Sequence, residues 1–291
     1  MKKLLMFLCV VSLVALWAPA FALTVTPLDS ATNLAQSLVG PGVTISNVTY
    51  TGASAASGYF TGGLAAGIGI QSGIVLTSGY ASHLNGTSNT SDAITGNNGL
   101  PGAAMLNNLI PGYSTNDATI LEFDFVSAGT SAYFNYVFGS EEYNEWVNSS
   151  YNDVFGFFFN GTAVSDNVAL IPGTSTAVAI NNVNNGSNSL YYNDNDPGDL
   201  SPIPFAFEYD GFTDVFTASI LGLTAGNTYH LTLAIADAGD SVLDSGVFLQ
   251  AKSFSQDPVN PDVPEPATMV LLGSGLVGLA GFGRKKLSKK V

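Results

Sequence analysis

Cysteine and histidine are scarce in this sequence, and their scarcity removes several kinds of chemistry. The 291 residues contain one cysteine, Cys9, inside an apolar N-terminal run, and two histidines, His83 and His230. A body without cysteine forms no disulfide bonds and offers no cysteine nucleophile. Two histidines are too few for a histidine-rich metal centre. A metal site in this chain would therefore have to rely on oxygen ligands.

Positive charge is also nearly missing between the two ends of the chain. Residues 23–263 contain a single basic side chain, Lys252, and 21 of the 22 acidic residues, which gives a formal charge of about −20. Such a field disfavours nucleic acid and anionic lipid surfaces as partners. It favours cations or basic partners, and it also keeps a protein soluble with no partner at all.

Residues 1–22 have the pattern of a secretory signal peptide. Lys2 and Lys3 provide the positive start, Leu4 to Trp17 is almost wholly apolar, and Ala20-Phe21-Ala22 is a small-x-small cleavage pattern. The apolar run is shorter than the roughly 20 residues that a spanning helix needs, which favours cleavage over an uncleaved anchor. We predict cleavage by signal peptidase after Ala22, with Ala20 as the alternative.

The C-terminus has three parts in order: Pro264-Glu265-Pro266, an apolar glycine-rich segment at 267–283, and a basic end from Arg284 to Lys290. The apolar segment is at the short limit for a transmembrane helix, and the basic cluster predicts that this end stays in the cytoplasm. Residues 264–291 closely resemble the PEP-CTERM sorting signal. The resemblance implies processing near the triplet by a membrane-embedded exosortase. A plain C-terminal anchor is the alternative.

The remaining body has the composition of an exported all-β protein, rich in Gly, Ser, Thr, Asn and aromatic residues. We predict a sandwich or jelly-roll-like fold with one or two short helices, together with an N-terminal signal helix and a C-terminal transmembrane helix. One helix is predicted at 31–38, capped by Asp29 or Ser30, and a shorter one at 103–109. The predicted strands cover residues 43–50, 70–77, 120–126, 132–138, 154–159, 177–183, 205–209, 215–221, 229–236 and 247–254.

The domain boundaries follow from composition. The β domain is predicted to span residues 23–256. Residues 257–263 are proline-rich and polar, which is typical of a linker between a body and its anchor. The sorting tail then occupies 264–291.

Six distinctive sequence blocks follow one another between residues 140 and 249. They are Ser-Glu-Glu-Tyr at 140–143, Asn-Asp-Val-Phe at 152–155, Ile-Asn-Asn-Val-Asn at 180–184, Tyr-Asp-Gly-Phe-Thr at 209–213, Ala-Ile-Ala-Asp at 234–237 and Asp-Ser-Gly-Val-Phe-Leu at 244–249. In this order the blocks resemble the choice-of-anchor L domain, an extracellular module found with different surface anchors. The resemblance spans most of residues 28–254. It implies an exported location and implies nothing about a ligand.

Two acidic segments suggest a calcium site. Ca²⁺ prefers six to eight oxygen ligands, and carboxylates on turns supply them. We hypothesise that the two segments converge on one Ca²⁺ that orders the loops, although no EF-hand spacing is present. The alternative is that the acids cap turns or are solvated. The candidate ligands are Glu141, Glu142, Asp153, Asp237, Asp240 and Asp244.

A glycan-binding surface is a second hypothesis, because aromatic rings and polar side chains can hold sugar faces and hydroxyls. Its candidates are Tyr143, Trp146, Tyr151 and Asn152, next to Asp153. The alternative is that Tyr143 and Trp146 pack in the core or anchor a loop. Extracellular polysaccharide would be the partner.

A hydrolase is the third hypothesis, and we assign no catalytic residue. Adjacent Glu141 and Glu142 would point to opposite faces of a strand, which argues against that pair as a glycosidase dyad. A pair of Glu141 with Asp153, or with an acid further along the chain, stays open. A triad using His83 or His230 is also disfavoured, since His230 falls in a predicted strand. The preferred interpretation is a non-enzymatic cell-envelope or matrix protein, with a Ca²⁺-dependent or glycan-binding adhesion module as the alternative.

Overall fold

The computed structural model describes residues 23–27, 30–86 and 88–261. These residues contain twelve β-strands. In chain order the strands are β1 (Thr24–Pro27), β2 (Val43–Thr51), β3 (Ser57–Thr61), β4 (Ser72–Thr77), β5 (Thr115–Ser127), β6 (Ser131–Ser140), β7 (Val154–Phe159), β8 (Tyr192–Asp194), β9 (Gly211–Thr213), β10 (Phe216–Leu221), β11 (Thr228–Ala238) and β12 (Ser245–Gln250).

The strands form two antiparallel sheets, which confirms the predicted all-β, two-sheet architecture. One sheet has the order β1-β3-β4-β12-β6-β9-β8, with β10 also paired to β6. The other has the order β2-β5-β11-β7. The helices are α1 (Ala31–Leu38), α2 (Gly63–Ala66) and α3 (Ala104–Leu109), with 3₁₀ turns at Ser54–Ala56, Ala81–Leu84, Val164–Asp166 and Ser189–Tyr191.

The two-residue period of the strands creates the core between the sheets. Along β5, Leu121, Phe123 and Phe125 are fully buried, while Glu122 and Asp124 face the other side and stay partly exposed. The ring of Phe125 packs edge-on against that of Phe254. Phe254 in turn stacks on Phe134, with ring centroids 4.0 Å apart. Each such buried ring stabilises the sandwich by about 1.5–3 kcal/mol.

The eight-stranded sheet is covered on its second face as well. An outer cluster contains Val137 of β6, Phe248 of β12 and Phe212 of β9, and Ile68 and Phe207 pack on it from loops. This sheet therefore has a buried side facing the partner sheet and a buried side facing its own loops.

Several local predictions are confirmed. Helix α1 has the predicted span, and the Ser30 side chain accepts a hydrogen bond from the Asn33 N–H at 3.2 Å, as an N-cap does. Asp29, the other candidate cap, lies outside the described residues. The predicted helix at 103–109 corresponds to α3.

Two predicted strands are wrong. Residues 177–183 contain only isolated bridges at Ala177 and Ala179 before the chain turns. Residues 205–209 form no strand. Aromatic side chains occur there at every second position, Phe205, Phe207 and Tyr209, because they pack in the outer cluster, where Phe205 and Phe207 contact Phe212. Apolar residues in a covering loop thus imitate the strand period.

Other boundaries differ from the predictions. β12 ends at Gln250 rather than at residue 254, although Phe254 still packs in the core. Strands β1, β3, β8 and β9 and helix α2 were not predicted, because each is short and lies in a Gly/Ser-rich or polar stretch.

The chain ends carry predictions that the described residues do not reach. The compact unit ends at Pro261, and within the predicted linker the Val259 carbonyl accepts a hydrogen bond from Asn135 Nδ2 at 2.8 Å. The signal peptide, the Pro264-Glu265-Pro266 triplet and the segment 267–283 all lie outside the described residues. Among those described, no helix is long and apolar enough to cross a membrane.

Candidate functional site

Acidic residues gather at one end of the sandwich because several strands start or stop there. In the eight-stranded sheet, Ser140 at the end of β6 pairs with Ser245 of β12 on one side and with Gly211 of β9 on the other. The next residues beyond these pairs are all acidic. They are Asp244, Glu141 and Asp210, which we call the outer row.

Backbone hydrogen bonds extend the register through the outer row. The Glu141 N–H donates to the Asp244 carbonyl at 3.1 Å. On the far side, the Asn195 N–H donates to the Asp210 carbonyl at 2.7 Å. Three acids therefore stand side by side on neighbouring strand ends, an arrangement that destabilises a sheet when like charges are left uncompensated.

A second set of acids comes from the four-stranded sheet at the same end. Ala236 of β11 pairs with Val154 of β7, so that the following residue, Asp237, stands opposite Asp153. Asp153 Oδ1 accepts from the Ala238 N–H at 2.7 Å. Together with Glu142, Asp153 and Asp237 form what we call the inner group.

Serine hydroxyls join the inner group to the eight-stranded sheet. Ser245 Oγ donates to Asp153 Oδ2 at 2.6 Å and lies 2.8 Å from Ser140 Oγ. The carboxylate of Asp153 therefore bridges the two sheets in place of apolar packing at this end.

The outer row and the inner group lie on opposite sides of the eight-stranded sheet. Along β6, Val137 faces the outer cluster and Phe138 faces the core between the sheets. The same alternation places Ser140 inside and Glu141 outside. The predicted divergence of Glu141 and Glu142 follows. Five of the six candidate calcium ligands are divided between the two sets, with Glu141 and Asp244 in the outer row and Glu142, Asp153 and Asp237 in the inner group.

The carboxyl groups of the inner group are held in a state that favours protonation. Burial, followed by the charges of Asp153 and Asp240, raises the pKa of Glu142 to about 10. Burial also raises the pKa of Asp153 to about 8, although its two hydrogen bonds oppose the shift. For Asp237, burial and then the charge of Asp153 raise the pKa well above its ordinary value.

The outer row shows the same perturbation with different neighbours. Burial, then the charge of Asp210, raises the pKa of Glu141 well above its ordinary range, and Glu208 and Asp244 add to the shift. Burial raises the pKa of Asp210 to about 9, against the hydrogen bond from Asn89. For Asp244, burial again raises the pKa, while backbone hydrogen bonds and His83 oppose the rise.

Within the part of the chain that the structure describes, several buried carboxylate oxygens have no hydrogen-bond partner. The group includes members of both sets, and each residue is at most 2% exposed. Unpaired buried polar atoms are costly, and clusters of them indicate a missing partner. The atoms are Glu141 Oε1, Glu142 Oε2, Asp210 Oδ2, Asp237 Oδ1 and Asp244 Oδ2.

Within the described residues, no three His, Cys, Asp or Glu side chains are already grouped as a metal centre. Binding of an ion at this end would require the carboxylates to rotate toward it. Asp240, the sixth predicted ligand, is half-buried, and its Oδ1 accepts from the Val242 N–H at 3.1 Å.

The predicted glycan surface is only partly available. Tyr143 is fully buried, and its hydroxyl donates to the Val183 carbonyl at 2.7 Å, so its ring is not accessible to a sugar. Asn152 is 5% exposed and its Oδ1 accepts from the Asn181 N–H. Trp146 is 41% exposed and packs edge-on against Tyr151, with centroids 5.0 Å apart.

Sequence reasoning missed Asp210 and Glu208 as site residues. Asp210 lies within the Tyr-Asp-Gly-Phe-Thr block, yet it is 69 positions from Glu141 and stands beside it only through the β6–β9 pairing. Periodicity inside one strand carries no signal for such a contact.

A surface cleft of about 370 Å³ lies at the opposite end of β5 from Thr115. It contains no acidic or histidine side chain. Its lining residues are Gly42, Val43, Thr44, Val126, Ser127, Ala128 and Gly226.

Comparison with known families agrees with both sequence resemblances. The family model of the choice-of-anchor L domain matches residues 24–255, and the model of the PEP-CTERM protein-sorting motif matches residues 262–285. The chain belongs to the choice-of-anchor L domain family. Its sorting motif marks it as an exported protein of the cell envelope that is sorted by an exosortase-type system. No curated protein and no solved structure matches the chain.

Proposed function

We propose that the body is a non-catalytic module of the cell envelope or extracellular matrix, placed outside the cell by its two ends. The observation that carries this proposal is the match of a sorting motif at residues 262–285 directly behind the match of a choice-of-anchor L domain at residues 24–255.

The route follows from the charges at the ends. Signal peptidase removes residues 1–22 after Ala22, and the basic cluster from Arg284 holds the C-terminus in the cytoplasm. The segment 267–283 then spans the membrane until an exosortase cuts near the triplet. The mature body is left at the surface or in the matrix.

Fractionation of the host cell tests this route. The variant replaces Pro264 and Pro266 with alanine, and the matched control replaces Pro258 and Pro261. We expect the variant to stay in the membrane with an intact tail, while the wild type and the control lose the tail near residue 264, as read by mass spectrometry of the mature C-terminus. Identical processing of the variant would show that the tail is a plain anchor.

A second candidate function is Ca²⁺-dependent adhesion, favoured by the inner group. Glu142 and Asp237 each leave a buried oxygen unpaired, and Asp153 and Asp240 lie close enough to raise the pKa of Glu142. Carboxylate oxygens are what Ca²⁺ prefers, and a divalent ion would compensate their mutual repulsion. The ion would tie the loop after β6 to the end of β11.

The adjoining surface for a glycan is Trp146 with Tyr151. We expect Trp146→Ala to reduce the retention of the protein on immobilised host polysaccharide, and chelator to reduce it for the wild type. Leu190→Ala is the matched control, because Leu190 is 91% exposed and distant in sequence. Equal retention of all variants, with and without Ca²⁺, would rule out this surface.

A further inference from the structure

The outer row stands apart from the inner group and has a pattern of its own. In each of its three acids one carboxylate oxygen accepts a hydrogen bond from the segment 89–96, which covers this face of the sheet. Asn89 Nδ2 donates to Asp210 Oδ1 at 2.5 Å, the Ile94 N–H to Glu141 Oε2 at 3.4 Å, and the Gly96 N–H to Asp244 Oδ1 at 2.9 Å.

The second oxygen of each acid is buried and unpaired. These atoms are Asp210 Oδ2, Glu141 Oε1 and Asp244 Oδ2. Glu141 and Asp210 are completely shielded from solvent, so water at the surface does not solvate them. A row of carboxylates held on one side and free on the other is an arrangement that a cation completes.

Basic side chains in the described part of the chain do not neutralise the outer row. Within the described residues, the only basic side chain at ion-pair distance is His83, whose Nδ1 lies 3.7 Å from Asp244 Oδ2. Lys252 is in the turn after β12, where its N–H donates to the Ser37 carbonyl near α1. Among these residues, Glu141 and Asp210 therefore have no positive charge to balance them.

The spacing of the strands suits a calcium ion. Neighbouring strands lie about 4.8 Å apart, which is close to two Ca²⁺–oxygen distances of about 2.4 Å. An ion between Glu141 and Asp210 would thus contact both carboxylates once their side chains rotate toward it. Glu208 adds a third carboxylate nearby, held by the Thr90 N–H at 3.1 Å and hydroxyl at 3.0 Å.

We propose that Glu141 and Asp210, flanked by Glu208 and Asp244, bind a second hard divalent cation, Ca²⁺, on the outer side of the eight-stranded sheet. This site would bind the same kind of ion as the adhesion candidate described above, but a separate ion and through a different set of side chains. Its effect would be to fasten the segment 89–96 and the loop before β9 onto the sheet.

The test counts Ca²⁺ ions bound to the full chain by equilibrium dialysis, with circular dichroism to verify folding. We expect two ions for the wild type, one for Asp210→Asn, one for Glu141→Gln and one for Asp237→Asn of the inner group. Glu122→Gln, a partly exposed acid on β5, is the matched control and should retain two.

Each outcome separates the two sites. If Asp210→Asn and Glu141→Gln, both folded, still bind two ions with unchanged affinity, the second site is overturned and the inner one stands. If Asp237→Asn loses nothing while the outer variants lose one ion, the second site stands and the inner one fails. If the folded wild type binds no Ca²⁺, both are overturned, and the row is then neutralised by protons.

Discussion

The same sandwich holds acidic side chains in two contrasting ways. On the solvent face of β5, Asp124 lies 2.8 Å from His230 Nδ1 and accepts from Asn47 Nδ2 at 2.7 Å, and these hydrogen bonds lower its pKa. Glu122 beside it has Thr232 and Thr49 as donors. At the acidic end of the sandwich the carboxylates are more buried and less partnered.

The contrast shows that position alone does not explain the buried acids. Among the described residues, exposed carboxylates are paired with His230, Asn47 and threonines, whereas five buried carboxylate oxygens have no hydrogen-bond partner. Since unpaired buried charge costs more than exposed charge, the acidic end is expected to depend on a partner that the described residues do not supply. Stability measurements on the wild type and on variants test this difference.

The largest expected effect is the response of stability to pH and Ca²⁺. Without divalent ions, carboxyls with raised pKa, such as Asp153 at about 8, keep protons in the folded state that the unfolded state loses above pH 4. Folding stability should therefore be highest near pH 4 and fall as the pH rises toward 8. Millimolar Ca²⁺ should restore about 2.7 kcal/mol for each occupied site at pH 8 if it exceeds the Kd of that site a hundredfold.

Thermal unfolding in chelator and in Ca²⁺ across this pH range checks the prediction. Mg²⁺ at the same concentration is the control, because it dehydrates reluctantly and demands octahedral geometry. A Tm that is unaffected by Ca²⁺ at pH 8 would contradict the prediction that the buried acids, unlike those on the solvent face of β5, need a bound ion.

The next largest effect is expected for Asp237→Asn, which should change the free energy of unfolding in opposite directions in chelator and in Ca²⁺. In chelator at pH 8 the variant removes a buried carboxyl that must either stay charged beside Asp153 or take up a proton on folding, so we expect it to raise the free energy of unfolding by about 1 kcal/mol or more. In Ca²⁺ the same variant removes a ligand and should lower the free energy of unfolding. Denaturant titrations in both buffers measure the difference, and Glu122→Gln should behave alike in the two. The same sign in both buffers would contradict the role of Asp237.

Gly79 tests how tightly the outer row is packed. A Cβ at this position would overlap the carboxylate of Asp244, so Gly79→Ala should destabilise the fold by about 1–3 kcal/mol. Gly86→Ala is the matched control, since its Cβ would meet its nearest neighbour at 3.6 Å. Equal Tm values for the two variants would indicate that Asp244 moves freely.

The smallest effect is expected for Asp124→Asn on the solvent face. Exposed ion pairs contribute less than about 1 kcal/mol, so the loss of the His230 contact should change the free energy of unfolding by no more than this. Because the pKa of Asp124 is lowered, its contribution exists above the ordinary aspartate pKa and disappears as the pH falls through the lowered value. Denaturant titrations at pH 3 and pH 7 check this, and a larger loss at pH 3 would be inconsistent.

Local sequence patterns are sufficient to predict several strands, one helix cap and the family of this protein. The alternation of residues 120–126 and the cap at Ser30 each depend on neighbours within a few residues, and the sequence predicted them correctly. The two-residue period also determined that Glu141 and Glu142 face opposite ways. The sorting motif and the domain family were readable for the same reason, since their residues lie in continuous blocks.

Which acidic side chains lie next to one another depends on the tertiary structure. Asp210 stands beside Glu141 because β9 pairs with β6, and Asp153 stands beside Asp237 because β7 pairs with β11. Such contacts depend on strand order and register, which local periodicity does not specify. The loop at 205–209 shows the converse, because its strand-like alternation arises from packing on the outer cluster. The division of the acids into an outer row and an inner group is therefore a property of the fold.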